Sequence, residues 1–253
     1  MCAVSGARPI PRRQSIELAE ISTCRVTRIV SPLLSRYVTD MRHFISALIL
    51  ALSVNSAAAH PHVFVDAKGA FIFAKDGRLV GVRIYWLYDA FTTLLLYDTL
   101  SLDKDGDGKL DGGDLETIKQ GETDWAPDYE GDTYLWIDGQ KQKLSRPKNA
   151  SAQMNDDRIG VGFELLLENA VNMSGKSASL KIYDPIYYYA YSIAEAGTLS
   201  GGPAGCAVQV MGFTPDEKSS ALQNQLAALS QEEIPDDPNV GALFSEEILL
   251  QCD

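Results

Sequence analysis

The stretch VFVDAKGAFIFAKDGRLVGVRIYWLYD, residues 63–89, decides the fold, because its apolar side chains recur at every second position on both sides of a turn signal. The alternating positions are Phe71 and Phe73 before the turn and Val80, Val82, Ile84 and Trp86 after it. Such alternation is typical of strands with one buried face. The segment KDG at 75–77 favours a tight turn. We therefore predict a β-hairpin here.

Downstream of the hairpin, the pattern switches to helical spacing and then returns to strands. Residues 89–102 space their apolar groups as a helix does, with Asp89 as the N-cap, and residues 115–122 predict a short second helix. Further predicted strands are 133–139, 159–168, 177–184, 186–195, 206–211 and 246–252, with a helix at 219–229. This order predicts an α+β, mostly β class. We expect one antiparallel β-sandwich-like domain over 60–253, with an EF-hand-like helix–loop–helix inserted at about 89–122.

Residues 41–59, MRHFISALILALSVNSAAA, have the three parts of a secretory signal: a basic start, an apolar core and a small-residue cleavage site. The apolar core is too short to span a bilayer, which takes about 20 residues. The alternatives are a retained membrane anchor and a buried core helix. Cleavage after Ala59 predicts a periplasmic protein without a stable membrane span. Residues 1–40 are then an over-called start or a disordered leader.

The segment that follows the predicted signal is strongly acidic. The chain has 22 Lys and Arg and 34 Asp and Glu, of which seven and three precede residue 60. This leaves 15 basic against 31 acidic residues, a net charge near −16. Because the phosphates of nucleic acid would be repelled, we expect no nucleic-acid partner. The charge suits an exported protein that handles cations.

Two of the four cysteines, Cys206 and Cys252, lie in the predicted mature chain. In an exported protein they most simply form one disulfide, which would tie the last predicted strand to the body of the domain. A thiolate metal site is the alternative, although the sequence has neither CxxC spacing nor a histidine nearby.

Residues 103–114, DKDGDGKLDGGD, match the calcium-binding loop of an EF-hand. The predicted ligands are Asp103, Asp105, Asp107, the carbonyl of Lys109, Asp111 and Asp114, at positions 1, 3, 5, 7, 9 and 12. Gly108 falls at position 6, where the loop turns sharply. Position 12 is normally Glu, and the shorter Asp114 favours weaker Ca²⁺ binding or Mg²⁺. The alternative is a solvated acidic loop without an ion.

Cleavage after Ala59 would make His60 the amino-terminal residue, so that its α-amine and imidazole form a chelate to which His62 adds a third nitrogen. Nitrogen ligands suit Zn²⁺, Ni²⁺, Co²⁺ or Cu²⁺ rather than Ca²⁺. Pro61 has no amide proton, which blocks square-planar binding through the backbone amides. Asp66 and Asp89 are candidates for further ligands. Alternatively, the histidines are ordinary residues of a flexible terminus.

Catalysis has little support in the sequence. The motifs GxSxG, HExxH and GxxxxGK[ST] are absent, so we expect no enzymatic activity. The enzymatic alternative is a copper-dependent histidine brace at His60. The aromatic run YYYAY at 187–191 is interpreted as core and sheet surface, with a carbohydrate or peptide platform as the alternative.

Several stretches together resemble an uncharacterised family of bacterial periplasmic proteins: HPHVFVD, IYWLYDAFTTLLLYD, DKDGDGKLDGGDL, YDPIYYYAY and the terminal strand that ends in Cys252. Members are often labelled periplasmic components of an ABC-type transport system and are associated with nickel/cobalt-type metal exporters or permeases. The resemblance implies an inner-membrane metal transporter or permease as partner, with metal contacts at the HPH start and the acidic loop. The family's helix usually begins with an acidic pair, of which this chain keeps Asp89 alone.

These observations predict a periplasmic metal-handling accessory or binding protein, with a Ca²⁺ site in the acidic loop and a transition-metal site at His60 and His62. The second hypothesis is a calcium-stabilised structural or interaction module without a transition-metal role. The third is the copper-dependent enzyme.

Overall fold

A computed structural model describes residues 60–195, 202–230 and 233–253. The predicted leader at 1–40 and the predicted signal at 41–59 lie outside these residues. Within the part of the chain that is described, no helix has the length and apolar character that crossing a membrane requires.

Strands make up most of the described structure. They are β1 Val63–Phe73, β2 Leu79–Tyr88, β3 Thr133–Ile137, β4 Gln140–Gln142, β5 Lys148–Asn155, β6 Arg158–Val171, β7 Ser177–Ile182, β8 Tyr189–Glu195, β9 Cys206–Met211 and β10 Glu247–Cys252. The helices are α1 Ala90–Thr99, α2 Gly112–Thr123 and α3 Glu217–Ala227, with a 3₁₀ turn at Val240–Phe244.

The strands form two five-stranded sheets, in the orders β5-β6-β2-β1-β8 and β4-β3-β7-β10-β9. β1 and β8 run parallel, whereas the other neighbouring strands pair antiparallel. The predicted α+β, mostly β class with an antiparallel sandwich-like architecture is therefore confirmed. A helix–loop–helix follows β2, but its assignment as an EF-hand stays a prediction.

The two sheets meet face to face, and β1 approaches the second sheet most closely at Gly69. A Cβ atom added there would lie 2.7 Å from Cδ1 of Ile248 and 2.8 Å from Cδ2 of Leu180. A single large group of buried apolar side chains draws on both sheets, including Phe71, Ile84, Phe163, Leu135, Leu180 and Ile248. Because the small residue at 69 leaves room for their side chains, the sheets can pack without a void.

The predicted hairpin is confirmed as β1 and β2. Its turn closes through a hydrogen bond from the Ala74 N–H to the Arg78 carbonyl, and Gly77 adopts the positive φ of 78° that glycine tolerates best. Of the predicted buried face, Phe71, Phe73, Val82, Ile84 and Trp86 are buried. Val80 is only partly buried, and Leu79 enters the core in its place, because the strand register shifts between Leu79 and Gly81.

Helix α1 confirms the predicted helix, but only some of its apolar residues, Leu96 and Tyr97, pack against the core. The Asp89 carboxylate caps it by accepting the Thr92 N–H at 2.9 Å. Thr92 and Thr93 are buried, whereas three large apolar side chains are mostly exposed: Phe91 (73%), Leu94 (67%) and Leu95 (53%). The hydroxyl of Thr93 accepts the N–H of buried Ile159 at 3.0 Å, and this bond fixes the threonine face against β6.

Two strands were not predicted, β4 and β5. β5 reads KNASAQMN and lies at an edge of the first sheet, where it pairs with β6 alone. Edge strands commonly carry polar side chains. The apolar alternation that signals a strand is therefore weak in this segment.

The predicted disulfide between Cys206 and Cys252 is confirmed. The two residues face each other across the β9–β10 pair, with their Cα atoms 4.0 Å apart. The bond joins residues 46 positions apart in the sequence. Such a bond is compatible with an exported protein, because disulfides persist in oxidising compartments.

Candidate metal-binding sites and an acidic cavity

The acidic loop between α1 and α2 folds around the side chain of Asp103. Its two carboxylate oxygens accept the N–H groups of Asp107 and Gly108, each at 3.0 Å. Gly106 and Gly108 have φ values of 71° and 78°, and Asp103 itself has a φ of 50°. Glycine adopts such angles without steric cost, which lets the chain turn tightly around the carboxylate.

Three of the predicted ligands come together in this loop. Carboxylate oxygens of Asp103, Asp105 and Asp107 lie within 4.8 Å of one another. Ca²⁺ binds oxygens at about 2.3–2.6 Å, so one ion can touch two oxygens that are roughly 5 Å apart. The spacing of these carboxylates therefore fits a single divalent cation with oxygen ligands.

The other three predicted ligands serve different roles in the described loop. Asp111 caps helix α2 by accepting the N–H groups of Gly113 and Asp114, and the Asp114 carboxylate accepts the Asp111 N–H at 3.1 Å. The Lys109 N–H donates to Asp107 at 2.8 Å. Asp111 and Asp114 thus form a capping box, which begins the second helix at the end of the acidic loop.

The negative charge of this loop affects the pKa of Tyr97. Burial first, and then the charges of Asp103 and Asp114, raise the pKa of the Tyr97 phenol, because each disfavours the phenolate. The charges of both ends of the loop therefore act on one side chain of α1.

His60 and His62 pack together rather than extending into solvent. Their ring centroids are 5.2 Å apart, and both rings contact Tyr188. His60 is 4% exposed, with Nε2 3.1 Å from the Glu233 carbonyl. Nε2 of His62 is buried and has no hydrogen-bond partner among the described residues. Burial, and then the charge of His60, lower the pKa of His62, which favours the neutral ring.

The carboxylates suggested as further ligands have other partners. Asp66 forms an ion pair with Arg158 at 2.8 Å. Asp89 caps α1 and also accepts the N–H of Phe64 at 3.1 Å. Both carboxylates are therefore bonded to groups other than His60 and His62, and the structure does not identify either one as a further metal ligand.

Between the first sheet and the loops that follow α2 and β7 lies an acidic, aromatic cavity of about 580 Å³ that the sequence did not predict. Its aromatic lining residues are Trp86, Tyr88, Trp125, Tyr129, Tyr188, Tyr189 and Tyr191. Its acidic lining residues are Glu122, Asp132 and Asp184. The run at 187–191 therefore contributes three tyrosines to the wall of a cavity, and these rings are partly buried.

Asp132 is the most enclosed carboxyl group of this cavity, with 3% of the residue exposed. Oδ2 accepts a hydrogen bond of 2.9 Å from the Tyr191 hydroxyl, whereas Oδ1 is buried without a partner among the described residues. Burial, and then the charge of Asp184, raise the pKa of Asp132 to about 7, although contacts with the hydroxyls of Tyr191 and then Tyr129 oppose this shift.

The two other carboxyl groups have partners. Asp184 accepts the N–H groups of Ile186, Tyr188 and Tyr189, so that it shapes the turn leading into β8. Glu122 accepts the hydroxyl of Tyr88, and burial raises the pKa of Glu122. These acids come from α2, the loop after it and the turn before β8, and no short motif unites them.

The fold and its sites define a class: a disulfide-linked β-sandwich protein that concentrates carboxylates in one loop and one cavity. The chain belongs to the family described as "Protein of unknown function (DUF1007)", which it matches over residues 45–252. It is similar to an uncharacterised protein of Haemophilus influenzae, with 25% identity over 214 residues, or 82% of this chain and 98% of that protein. The resemblance to an uncharacterised family is confirmed, and its link to nickel/cobalt transport stays a prediction.

Proposed function

We propose that this protein is an exported metal-binding protein, an accessory of an inner-membrane metal transporter, whose acidic loop takes Ca²⁺. The observation that carries the proposal is the convergence of the carboxylates of Asp103, Asp105 and Asp107 within 4.8 Å. Three negative charges so close together repel one another, and a divalent cation relieves that repulsion.

The same loop offers oxygen ligands beyond those three carboxylates. Ca²⁺ takes six to eight oxygens. The Lys109 carbonyl, Asp111 and Asp114 stand at the positions that supply the remainder in loops of this sequence pattern. Asp114 is shorter than the usual Glu, so we expect weaker Ca²⁺ binding than in loops with Glu, and measurable competition by Mg²⁺.

A transition-metal site at His60 and His62 is the second part of the proposal. It is supported by the 5.2 Å separation of the two rings and by the unpartnered Nε2 of His62. Imidazole nitrogen suits Zn²⁺, Ni²⁺, Co²⁺ or Cu²⁺. The third nitrogen, the α-amine of His60, depends on cleavage after Ala59. On this basis the protein binds metal without catalysing a reaction.

Calorimetric titration with Ca²⁺ tests the loop. Asp105→Asn removes one charge from the cluster and leaves the hydrogen bonds of Asp103 in place, so we expect at least about tenfold weaker binding. Asp157→Asn is the matched control, because it makes the same charge change at an exposed residue of the β5–β6 turn. Equal Ca²⁺ affinity in all three proteins would contradict the loop assignment.

Two measurements test the histidine site. Mass spectrometry of the exported protein should give His60 as the first residue. Titration with Zn²⁺, Ni²⁺, Co²⁺ and Cu²⁺ should then show a site that His60→Ala/His62→Ala removes, while Ca²⁺ binding remains. A mature protein that begins at another residue would contradict the proposed amine-and-imidazole chelate. Metal titrations that are unchanged in the double variant would contradict the whole histidine site.

A further inference from the structure

The acidic cavity, lined by Trp86, Asp132, Tyr189 and their neighbours, shares no ligand with either proposed metal site, although its lining residue Tyr188 also contacts the rings of His60 and His62. Its volume of about 580 Å³ falls within the roughly 300–1,000 Å³ typical of sites for small organic molecules. Among the described residues that line it, three are acidic and none is basic. The cavity is therefore large enough for an organic ligand and electrostatically suited to a cation.

We propose that this cavity binds a small organic ammonium ion that carries an oxygen acceptor, with Asp132 as its counter-ion and the indole N–H of Trp86 as the donor to its oxygen. The inference goes beyond metal binding and rests on different residues.

Two buried polar atoms without partners carry the assignment. Oδ1 of Asp132 and Nε1 of Trp86 both belong to residues that line the cavity, both residues are 3% exposed, and neither atom has a partner among the described residues. Buried polar groups normally have hydrogen-bond partners. An ammonium group donates to the carboxylate oxygen, and a ligand oxygen accepts from the indole, so one ligand supplies both missing bonds.

Asp132 is the acid best placed for this role, because among the three it alone has a buried carboxylate oxygen without a hydrogen-bond partner among the described residues. Both oxygens of Asp184 accept backbone N–H groups in the turn before β8. Glu122 accepts the hydroxyl of Tyr88. Both therefore contribute negative charge to the cavity, while Asp132 retains a carboxylate oxygen for direct contact with a ligand.

The aromatic lining favours an organic cation. The Trp86 ring lies 5.8 Å from Tyr191 and 6.3 Å from Trp125, and the Tyr189 and Tyr191 rings stack at 6.1 Å. The faces of such rings attract ammonium groups, and they also pack against the carbon atoms of the ligand that bears the ammonium group.

A bare metal ion fits this cavity less well. In the described parts of the chain, the acidic groups whose oxygens approach within 4.8 Å of one another are those of Asp103, Asp105 and Asp107. The carboxylates of Glu122, Asp132 and Asp184 do not all converge in this way, so one small ion cannot touch all three of them. A larger cation can reach Asp132 while its body fills the remaining space.

Titration calorimetry, together with the fluorescence of Trp86 and Trp125, tests the proposal on the purified protein. The probes are ethanolamine and glucosamine, whose ammonium groups can donate to Asp132, and choline and tetramethylammonium, which have no N–H and pair with it by charge alone. Glucose is the uncharged counterpart of glucosamine. We expect saturable binding of at least one ammonium probe and a tryptophan signal that follows it. Glucosamine should bind about tenfold or more tightly than glucose, since only the charged sugar pairs with Asp132.

Two variants separate the two contacts. Asp132→Asn keeps the shape of the side chain and should weaken every ammonium probe by about tenfold or more, whereas Asp157→Asn should change nothing. Trp86→Phe keeps an aromatic ring without the N–H, so it should weaken ethanolamine and leave tetramethylammonium, which has no acceptor, unchanged. Circular dichroism and thermal melting establish that each variant is folded, and the Trp86 variant alone tests the site if Asp132→Asn does not fold.

Three results would overturn the proposal. One is the absence of binding by every ammonium probe at millimolar concentration. Another is equal affinity for glucose and glucosamine, which would indicate a site for neutral sugars. The third is unchanged affinity for the ammonium probes in both the Asp132 and the Trp86 variant.

Discussion

The hydroxyl of Tyr191 donates a hydrogen bond of 2.9 Å to Oδ2 of Asp132, a carboxyl group that burial and the charge of Asp184 hold at a raised pKa of about 7. The bond stabilises the carboxylate, but the loss of water around it costs more. Without a bound cation, Asp132 is therefore a buried acid that keeps its proton through the acidic range up to about pH 7, and a cation beside it favours the carboxylate.

Stability should fall with rising pH because of this group. Its pKa is about 7 in the folded protein, against the ordinary aspartate value of 3.8 in the unfolded chain, so between these values the folded state binds more protons than the unfolded state. The free energy of unfolding then decreases with pH by at most about 1.4 kcal/mol per unit from this residue. Urea denaturation of the wild type and Asp132→Asn from pH 4.5 to 8 measures this loss as a divergence between the two curves. Parallel curves would contradict the raised pKa.

Removing divalent metal should destabilise the fold through the acidic loop. Ca²⁺ at 100 times its dissociation constant adds about 2.7 kcal/mol to the free energy of unfolding, because it binds the folded state alone. Differential scanning calorimetry with Ca²⁺ and with a chelator should therefore give a higher melting temperature with Ca²⁺. The difference should shrink in Asp105→Asn and persist in Asp157→Asn. An identical melting temperature under both conditions speaks against a calcium-loaded loop.

Substitutions at two adjacent residues of α1, Thr93 and Leu94, should change the free energy of unfolding by different amounts. Thr93→Val leaves the buried N–H of Ile159 without its acceptor, which costs about 1–3 kcal/mol. Leu94→Ala removes a side chain that is 67% exposed, so we expect a change within about 0.5 kcal/mol. Chemical denaturation of the two variants compares them directly. A larger loss for Leu94→Ala than for Thr93→Val would mean that the apolar face of α1 is covered.

Loss of the disulfide should be among the most costly single changes. The Cys206–Cys252 bond closes a loop of 46 residues, and the chain-entropy relation gives about 4 kcal/mol for that length. Cys206→Ala/Cys252→Ala should reduce the free energy of unfolding by this order in urea denaturation. The oxidised and reduced wild type provide the control, since reduction should produce the same loss. A change below about 1 kcal/mol would show that β9 and β10 pair equally well without the bond.

Features decided by neighbouring residues were predictable from the sequence. The turn at 75–77 and the Asp89 cap depend on groups only a few positions apart, so local patterns identified both. The disulfide followed from the number of cysteines remaining after residue 59. The convergence of Asp103, Asp105 and Asp107 was predictable for the same reason, because twelve consecutive residues contain it.

Features decided by distant residues were not predictable. Helical spacing predicted that residues 89–102 form a helix, but burial of Thr92 and Thr93 depends on β6, which lies about 60 residues later. The acidic cavity joins Trp86, Asp132 and Tyr191, and a single sequence gives no signal that such positions meet. An acid directly before the buried strand β3 and a tyrosine run look ordinary until the topology brings them together.

The positions of β1 and β10 in their sheets determine the order in which the two sheets can form during synthesis. Each is an interior strand, and each is the neighbour of an edge strand, β8 for β1 and β9 for β10. During synthesis β9 therefore emerges before the strand with which it pairs, and β8 must find a partner made more than a hundred residues earlier. The second sheet closes only when Glu247–Cys252 has arrived. Until then β7 and β9 both lack the strand that lies between them, so the emerging chain leaves backbone donors and acceptors of both strands unpaired.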